Sequence, residues 1–221
     1  MKLSTEQIQK VSDYVVSFDI KWYELQVEFT DHMVNSMEEI WENNPELSFE
    51  DVLLQAKISF GPQGFKGIEK QRIKILQEEI QRKQKRIVLE YLKFPKIAGS
   101  LFLVYLAYQG SYFFESPSEY LFILYLSSLI PLFYGFYMYL INRDLSGKRF
   151  LSINKFDILL ALPFIQMGMT LSGIFKEEIN QNSIVLLLFC VLWVIGLLFL
   201  FTGIHLYQKT IQNVKKQYQL N

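Results

Sequence analysis

The chain has 221 residues, 51% of them hydrophobic and 16% aromatic, with a formal net charge of +0. Its one cysteine, Cys190, excludes an intramolecular disulfide and a multi-cysteine metal site, and reads as a small apolar residue in an apolar helix. The neutral total is a cancellation, because residues 1–65 hold 12 acids and 4 bases, residues 66–96 hold 10 bases and 4 acids, and residues 97–206 are apolar.

The N-terminal stretch MKLSTEQIQKVSDYVV is polar and amphipathic, with no apolar h-region or small-residue cleavage site. The module it opens is therefore expected to stay on the side of the membrane where it is made. Ser4, with Gln7 three residues later, predicts a capping box and a short first helix. A second helix is expected from about Ile20 to Glu42. Trp22, Leu25, Phe29, Met33, Met37 and Ile40 recur on it at three- and four-residue steps and give one apolar face. Asn43-Asn44-Pro45 ends it. Ser48 caps a third helix, with Asp51 three residues on and Leu47 placed to staple onto Val52. Val52, Leu53, Ala56 and Phe60 form its apolar face, and Gly61-Pro62 stops it. About 60 residues make a marginal core, so the module should dock on the next segment or dimerise.

That segment, about Gly67 to Phe94, reads as one long polar helix, a stalk with a broken apolar stripe of Ile68, Ile73, Leu76, Ile80, Ile87 and Tyr91. Beyond it lie four apolar stretches, Ile97–Phe114, Tyr120–Ile141, Ile158–Phe175 and Ile184–Leu206. Each approaches the ~20 residues that a helix needs to cross a hydrocarbon core. Pro131 and Pro163 should kink the second and third. Gly168 with Ser172, and Pro131 with Gly135, are four apart and permit close helix approach. Asn142-Arg-Asp-Leu-Ser-Gly147 is turn chemistry, and Ser183 can cap the fourth stretch.

Charge orders these stretches. Arg82, Lys83, Lys85, Arg86, Lys93 and Lys96 precede the first; Arg143, Lys148, Arg149 and Lys155 lie between the second and third; Lys209, Lys215 and Lys216 follow the fourth. The other two loops hold Glu115 and Glu119, and Lys176, Glu177 and Glu178. The alternation predicts four crossings with both termini in the cytoplasm.

Within residues 20–68, the text Glu24-Leu-Gln-Val-Glu28-Phe-Thr-Asp31-His32, then Ser36-Met-Glu38-Glu39, then Ser48-Phe-Glu-Asp51, closes on Phe60-Gly61-Pro62. This quarter of the chain resembles the bacterial helical N-terminal domains called HAAS or permease-prefix. Such domains commonly precede several membrane spans, and a signalling or regulatory role has been proposed for them. The chain departs from them in a longer second helix and in a Phe-Gly-Pro end where Leu-Gly-Asp-Pro is usual. The resemblance brings no catalytic residues with it.

Three groups of residues are candidates for function. On the second helix, Glu28, Asp31, His32 and Asn35 fall on one face, and Glu24 and Glu39 extend it. The face suits an interaction surface; a divalent metal would need more ligands and an ordered outer shell. The bases Arg82, Lys83, Lys85, Arg86, Lys93 and Lys96 suit contact with anionic lipid. Gln109, Ser127, Ser128 and Gln166 form a candidate intramembrane polar cluster, as helix glue or as the lining of a route for a ligand. Tyr105, Tyr108, Tyr112, Tyr120, Tyr134, Tyr137 and Tyr139 make the first two stretches tyrosine-rich, which suits packing and an interfacial belt.

No acid or base lies in the middle of any stretch, which argues against an ion-coupled transporter. His205 near the end of the fourth stretch has no partner cluster, and no phosphate-binding glycine loop is present. The expected protein is all-α, in four parts. Residues 1–65 form a small acidic cytoplasmic module, 66–96 a basic juxtamembrane helix, 97–206 a four-helix transmembrane domain and 207–221 a cytoplasmic tail. It is expected to be a non-enzymatic, signalling or regulatory protein of a bacterial inner membrane, without catalytic residues, cofactor or metal. Its expected partners are the lipid bilayer and a protein partner or a second copy, not nucleic acid. The alternative is a small permease or an accessory subunit of a membrane transporter.

Overall fold

A computed structural model describes residues 2–61, 64–154 and 162–220. Helix makes up 82% of it, so the fold class is all-α. The chain divides into two compact units, Met1–Glu78 with Arg143–Lys155, and Glu79–Asn142 with Phe156–Asn221. The division falls inside one long helix instead of at residues 65 and 66, and the 143–155 segment joins the N-terminal unit.

The first unit is built from α1 (Thr5–Val16), α2 (Tyr23–Asn43), α3 (Phe49–Ile58) and the start of α4 (Gly64–Tyr91). Ser4 caps α1 through a full capping box with Gln7. The Ser48 hydroxyl oxygen accepts from the Asp51 N–H at 3.2 Å and caps α3. Each cap satisfies a donor that the first helical turn leaves without a partner. Val11, Val15, Met33, Met37, Val52 and Ala56 are fully buried, and Leu25, Phe29 and Phe60 nearly so. The expected faces of α2 and α3 are therefore the core, with one shift: Trp41, not Ile40, is the buried residue at the end of α2. Its indole N–H donates to the Leu47 carbonyl at 2.9 Å, which an isoleucine cannot do. Phe65, Ile68, Ile73 and Leu76 of α4 pack on the same core. The rings of Phe29, Phe60 and Phe65 meet at 4.4–5.9 Å. Pro62, expected to stop α3, lies outside the described residues.

The same unit holds a small hairpin, β1 (Asp144–Leu145) paired antiparallel with β2 (Lys148–Arg149), followed by a single helical turn, α8 (Leu151–Asn154). Ser146 and Gly147 form the turn, both with positive φ, 52° and 74°. A two-residue hairpin of this hand needs that conformation at both positions. Lys155, counted among the bases of this loop, lies outside the described residues.

The second unit contains the end of α4, then α5 (Lys96–Gly110), α6 (Pro117–Ser127), α7 (Leu129–Asn142), α9 (Leu162–Ile174), α10 (Lys176–Gln181) and α11 (Ser183–Gln217). Among the described residues, two of its helical segments are long and apolar enough to cross a membrane, Pro117–Asn142 and Ser183–Gln217, with mean hydropathies of 1.7 and 3.2. Only 28% of each apolar window is buried. Ile130, Phe133, Ile184 and Leu188 are more than half exposed, so the apolar faces point largely outward.

The expected boundaries change in three of the four stretches. The first apolar stretch is not one helix to Phe114: α5 ends at Gly110 and a 3₁₀ turn, Ser111–Phe113, follows. There the Ser111 hydroxyl donates to the Tyr108 carbonyl at 2.7 Å and competes with the helical bond. The second stretch breaks at Ser128 between α6 and α7. Pro131 has no N–H for the Ser127 carbonyl four residues earlier, and Ser128 closes a tighter turn by donating to the Tyr125 carbonyl. The third is described only from Leu162, so any bend at Pro163 lies at the margin of the described residues. The fourth runs on to Gln217, so most of the expected tail, residues 207–217, continues the same helix. Gly203, Tyr207, Ile211 and Val214 continue its buried stripe. Its cap is Asn182, whose side-chain oxygen accepts from the Ile184 N–H at 2.9 Å, in place of Ser183.

Candidate functional site

The acidic face of α2 is the first candidate, and the fold divides it. At its N-terminal end Glu24 and Glu28 are already engaged. Glu24 accepts from the Ser152 backbone N–H at 3.1 Å and from the Ser152 hydroxyl. Glu28 pairs with Arg72 of α4, with both side chains close to half exposed. Solvent screens such a pair to about 0–1 kcal/mol. Farther along, Asp31, His32, Asn35 and Glu39 remain exposed on one side of the helix. The His32 ring stands 5.1 Å from that of Phe60. Among the described residues no group of three or more His, Cys, Asp and Glu is close enough to hold a metal ion.

Two contacts at this end of the helix have little signal in local periodicity. Tyr23 meets Phe150 edge to face at 5.7 Å, and the Lys148 ammonium sits 3.7 Å from the centre of the Tyr23 ring. Phe150, Leu151 and Ile153 are apolar residues in an otherwise basic loop. That mismatch is the one sequence signal that the loop has a surface to cover.

The six bases at the end of the stalk, Arg82, Lys83, Lys85, Arg86, Lys93 and Lys96, are all exposed. Lys83 lies 3.8 Å from Glu79, and Lys96 lies 3.6 Å from Glu90 with its ammonium over the Tyr91 ring. Between them Gln84 is buried and donates to the Phe199 carbonyl of α11 at 2.8 Å, close against Gly203. A buried amide on an otherwise polar helix is indistinguishable from its solvated neighbours in sequence.

The expected intramembrane polar residues Ser127, Ser128 and Gln166 have different neighbours. Ser128 is buried and accepts from the Trp193 indole N–H at 2.9 Å. The adjacent Ser127 bonds back to the Leu124 carbonyl at 2.6 Å. Gln166 lines a cavity of about 360 Å³ with Phe122, Leu129, Leu162, Ile165, Met169 and Thr170. Gln109 is half-buried on α5. Tyrosines supply the stronger ties. The Tyr125 hydroxyl donates to the Phe189 carbonyl at 3.0 Å, and that of Tyr120 to the Ala107 carbonyl at 2.5 Å.

On the side of this unit that carries the loops after α5 and α9, Asn180 accepts from the Ser118 N–H at 3.0 Å, and Lys176 lies 3.7 Å from Glu119. The two loops without a basic excess therefore touch. Comparison with protein-family models, with curated proteins and with solved structures finds no match for this chain.

Proposed function

We propose that this is a four-span protein of a bacterial inner membrane whose N-terminal helical unit is a cytoplasmic interaction module with a signalling or regulatory, non-enzymatic role. One observation carries the topology: the loops pair as the charge alternation demands. The 143–154 hairpin packs in the unit of α1–α3, and the 115–119 and 176–182 loops bond to each other. Segments that touch in water lie on one side of a bilayer. An even number of crossings therefore separates α1–α3 from the hairpin, and likewise the two acidic loops from each other. The outward apolar faces of the second unit support a lipid surround, since a water-soluble protein rarely leaves so much apolar surface uncovered.

The reading of the module rests on the exposed Asp31, His32, Asn35 and Glu39, opposite a buried core. They offer a negative, polar surface to a basic partner, in keeping with the resemblance of residues 20–68 to HAAS or permease-prefix domains. The exposed bases from Arg82 to Lys96 suit the anionic cytoplasmic leaflet, each adding about 1 kcal/mol when close to it. The test is crosslinking of the full-length protein in its native membrane, with partners identified by mass spectrometry. A cytoplasmic protein captured by the wild type and lost with Asp31→Lys and Glu39→Lys supports the reading. Capture that is indifferent to both substitutions, or no partner at all, refutes it.

The second reading, a small permease or an accessory subunit of a transporter, is favoured by the cavity beside Gln166 and Thr170. Uptake into vesicles containing the purified protein, lost on Gln166→Leu, would establish it.

A further inference from the structure

A buried amide needs a partner, and Gln84 near the end of α4 finds one on α11. It donates to the Phe199 carbonyl at 2.8 Å, and a Cβ on Gly203 would stand 3.1 Å from its Nε2, so the glycine lets it in close. Measured along α11 from Ser183, Phe199 and Gly203 lie about 24 and 30 Å down the helix. A hydrocarbon core is ~30 Å thick, so Gln84 meets α11 at the inner edge of the core. The chain beyond it leads to α5, which begins at Lys96. The exposed side chains of this connection therefore meet lipid. Gln84 and Val88, one turn apart, are its buried side. At about 100° per residue, Lys85, Arg86 and Leu89 are turned away from that side, and all three are exposed. Leu89 is 47% exposed, Leu92 42% and Phe94 88%. Exposed apolar groups interleaved with bases fit a surface that is apolar inside and anionic at its rim. The bases differ among themselves. Lys83 lies 3.8 Å from Glu79 and Lys96 lies 3.6 Å from Glu90, whereas Lys85, Arg86 and Lys93 have no acidic partner among the described residues. A cation at the edge of the core needs a counter-charge, and lipid phosphates are the anions at that depth.

We propose that Lys85, Arg86 and Lys93 form a binding site for the phosphate headgroups of anionic phospholipid in the inner leaflet, with Leu89, Leu92 and Phe94 against the acyl chains. Gln84 sets the depth of the site by fixing α4 to α11. The site narrows the lipid contact of the basic stretch to the three bases that no acid neutralises. It rests on the reading of α11 as a membrane crossing, and not on a signalling role for the N-terminal unit.

The test is titration of the full-length protein in detergent micelles with dioleoylphosphatidylglycerol or dioleoylphosphatidylcholine, with bound lipid counted by native mass spectrometry. The anionic lipid should bind at least about tenfold more tightly than the zwitterionic one. Lys85→Ala, Arg86→Ala and Lys93→Ala together should abolish that preference. Lys85→Arg with Lys93→Arg keeps the charges and should keep it. Lys215→Ala with Lys216→Ala removes two bases outside the site and should leave it unchanged. No preference in the wild type, or an equal loss in the Lys215 and Lys216 variant, overturns the site. The apolar half is read by a nitroxide on Phe94→Cys in a Cys190→Ala background, in nanodiscs containing phosphatidylglycerol. It should be more accessible to oxygen than to a water-soluble nickel chelate, and the reverse overturns the lipid contact. A nitroxide on Leu188→Cys, midway along the apolar part of α11, reports the crossing itself. Water access there refutes the crossing, whereas a dry Leu188 with no lipid preference refutes the site alone.

Discussion

Gly168 is where the packing of the second unit is most exacting. A Cβ built there would lie 2.0 Å from Cε1 of Tyr125, 2.3 Å from Cδ1 and 2.4 Å from Cζ. Carbon atoms in ordinary contact stand about 3.5 Å apart or more, so Gly168→Ala forces the ring back by about 1.5 Å. Tyr125 is 4% exposed, and its hydroxyl holds the Phe189 carbonyl at 3.0 Å, so retreat costs that bond. Overpacking of this kind costs about 1–3 kcal/mol, and an interhelical hydrogen bond in a membrane adds about 0.6. Gly173, on the same helix, has nothing within 4 Å of its Cβ position and is the control. Both substitutions gain helix propensity, up to ~1 kcal/mol, so their difference isolates the clash. Reversible unfolding of the protein in mixed micelles should show Gly168→Ala less stable than Gly173→Ala by about 2–4 kcal/mol. With Tyr125→Ala already in place, Gly168→Ala should cost almost nothing. Equal stability of the two alanine variants, or the same penalty without the Tyr125 ring, would refute the α6–α9 packing.

Further predictions concern both units. Trp193→Phe removes the indole donor to Ser128 beside the Pro131 break and should destabilise the protein by about 0.5–1.5 kcal/mol in the same unfolding assay. Met33→Ala leaves a cavity in the α1–α3 core and should cost about 2–5 kcal/mol, read as faster amide exchange throughout that core in the intact protein. Arg72→Ala removes only a screened surface partner of Glu28 and should change stability by less than ~1 kcal/mol.

What the sequence made legible was local. The caps at Ser4 and Ser48 and the buried positions Leu25, Phe29, Met33 and Met37 follow from spacing over a few residues, because helix periodicity alone decides which face is apolar. The break near Pro131 and the close approach at Gly168 were legible for the same reason, since one residue type carries each effect. Contacts between distant segments were not. Glu24 looks like any other acid of an exposed face until Ser152 meets it, and Gln84 looks solvated until the Phe199 carbonyl is beside it. Nor does an apolar run tell where its helix ends. Ser111 shortens the first stretch by a local hydroxyl bond, while Tyr207, Ile211 and Val214 carry the last one past its hydropathy limit. Ser127, Ser128 and Gln166 share hydropathy but not their neighbours, which hydropathy does not specify.

The account depends most on which segments share a side of the membrane. Single cysteines at Ser4, Arg143, Glu115, Glu177 and Asn213, in a Cys190→Ala background, can be probed in intact cells with a membrane-impermeant thiol reagent. Cysteines at 115 and 177 should label, and those at 4, 143 and 213 should label only after the cells are opened. Labelling at 143 in intact cells while position 4 stays protected would contradict the account, because the hairpin and α1–α3 would then lie on opposite sides.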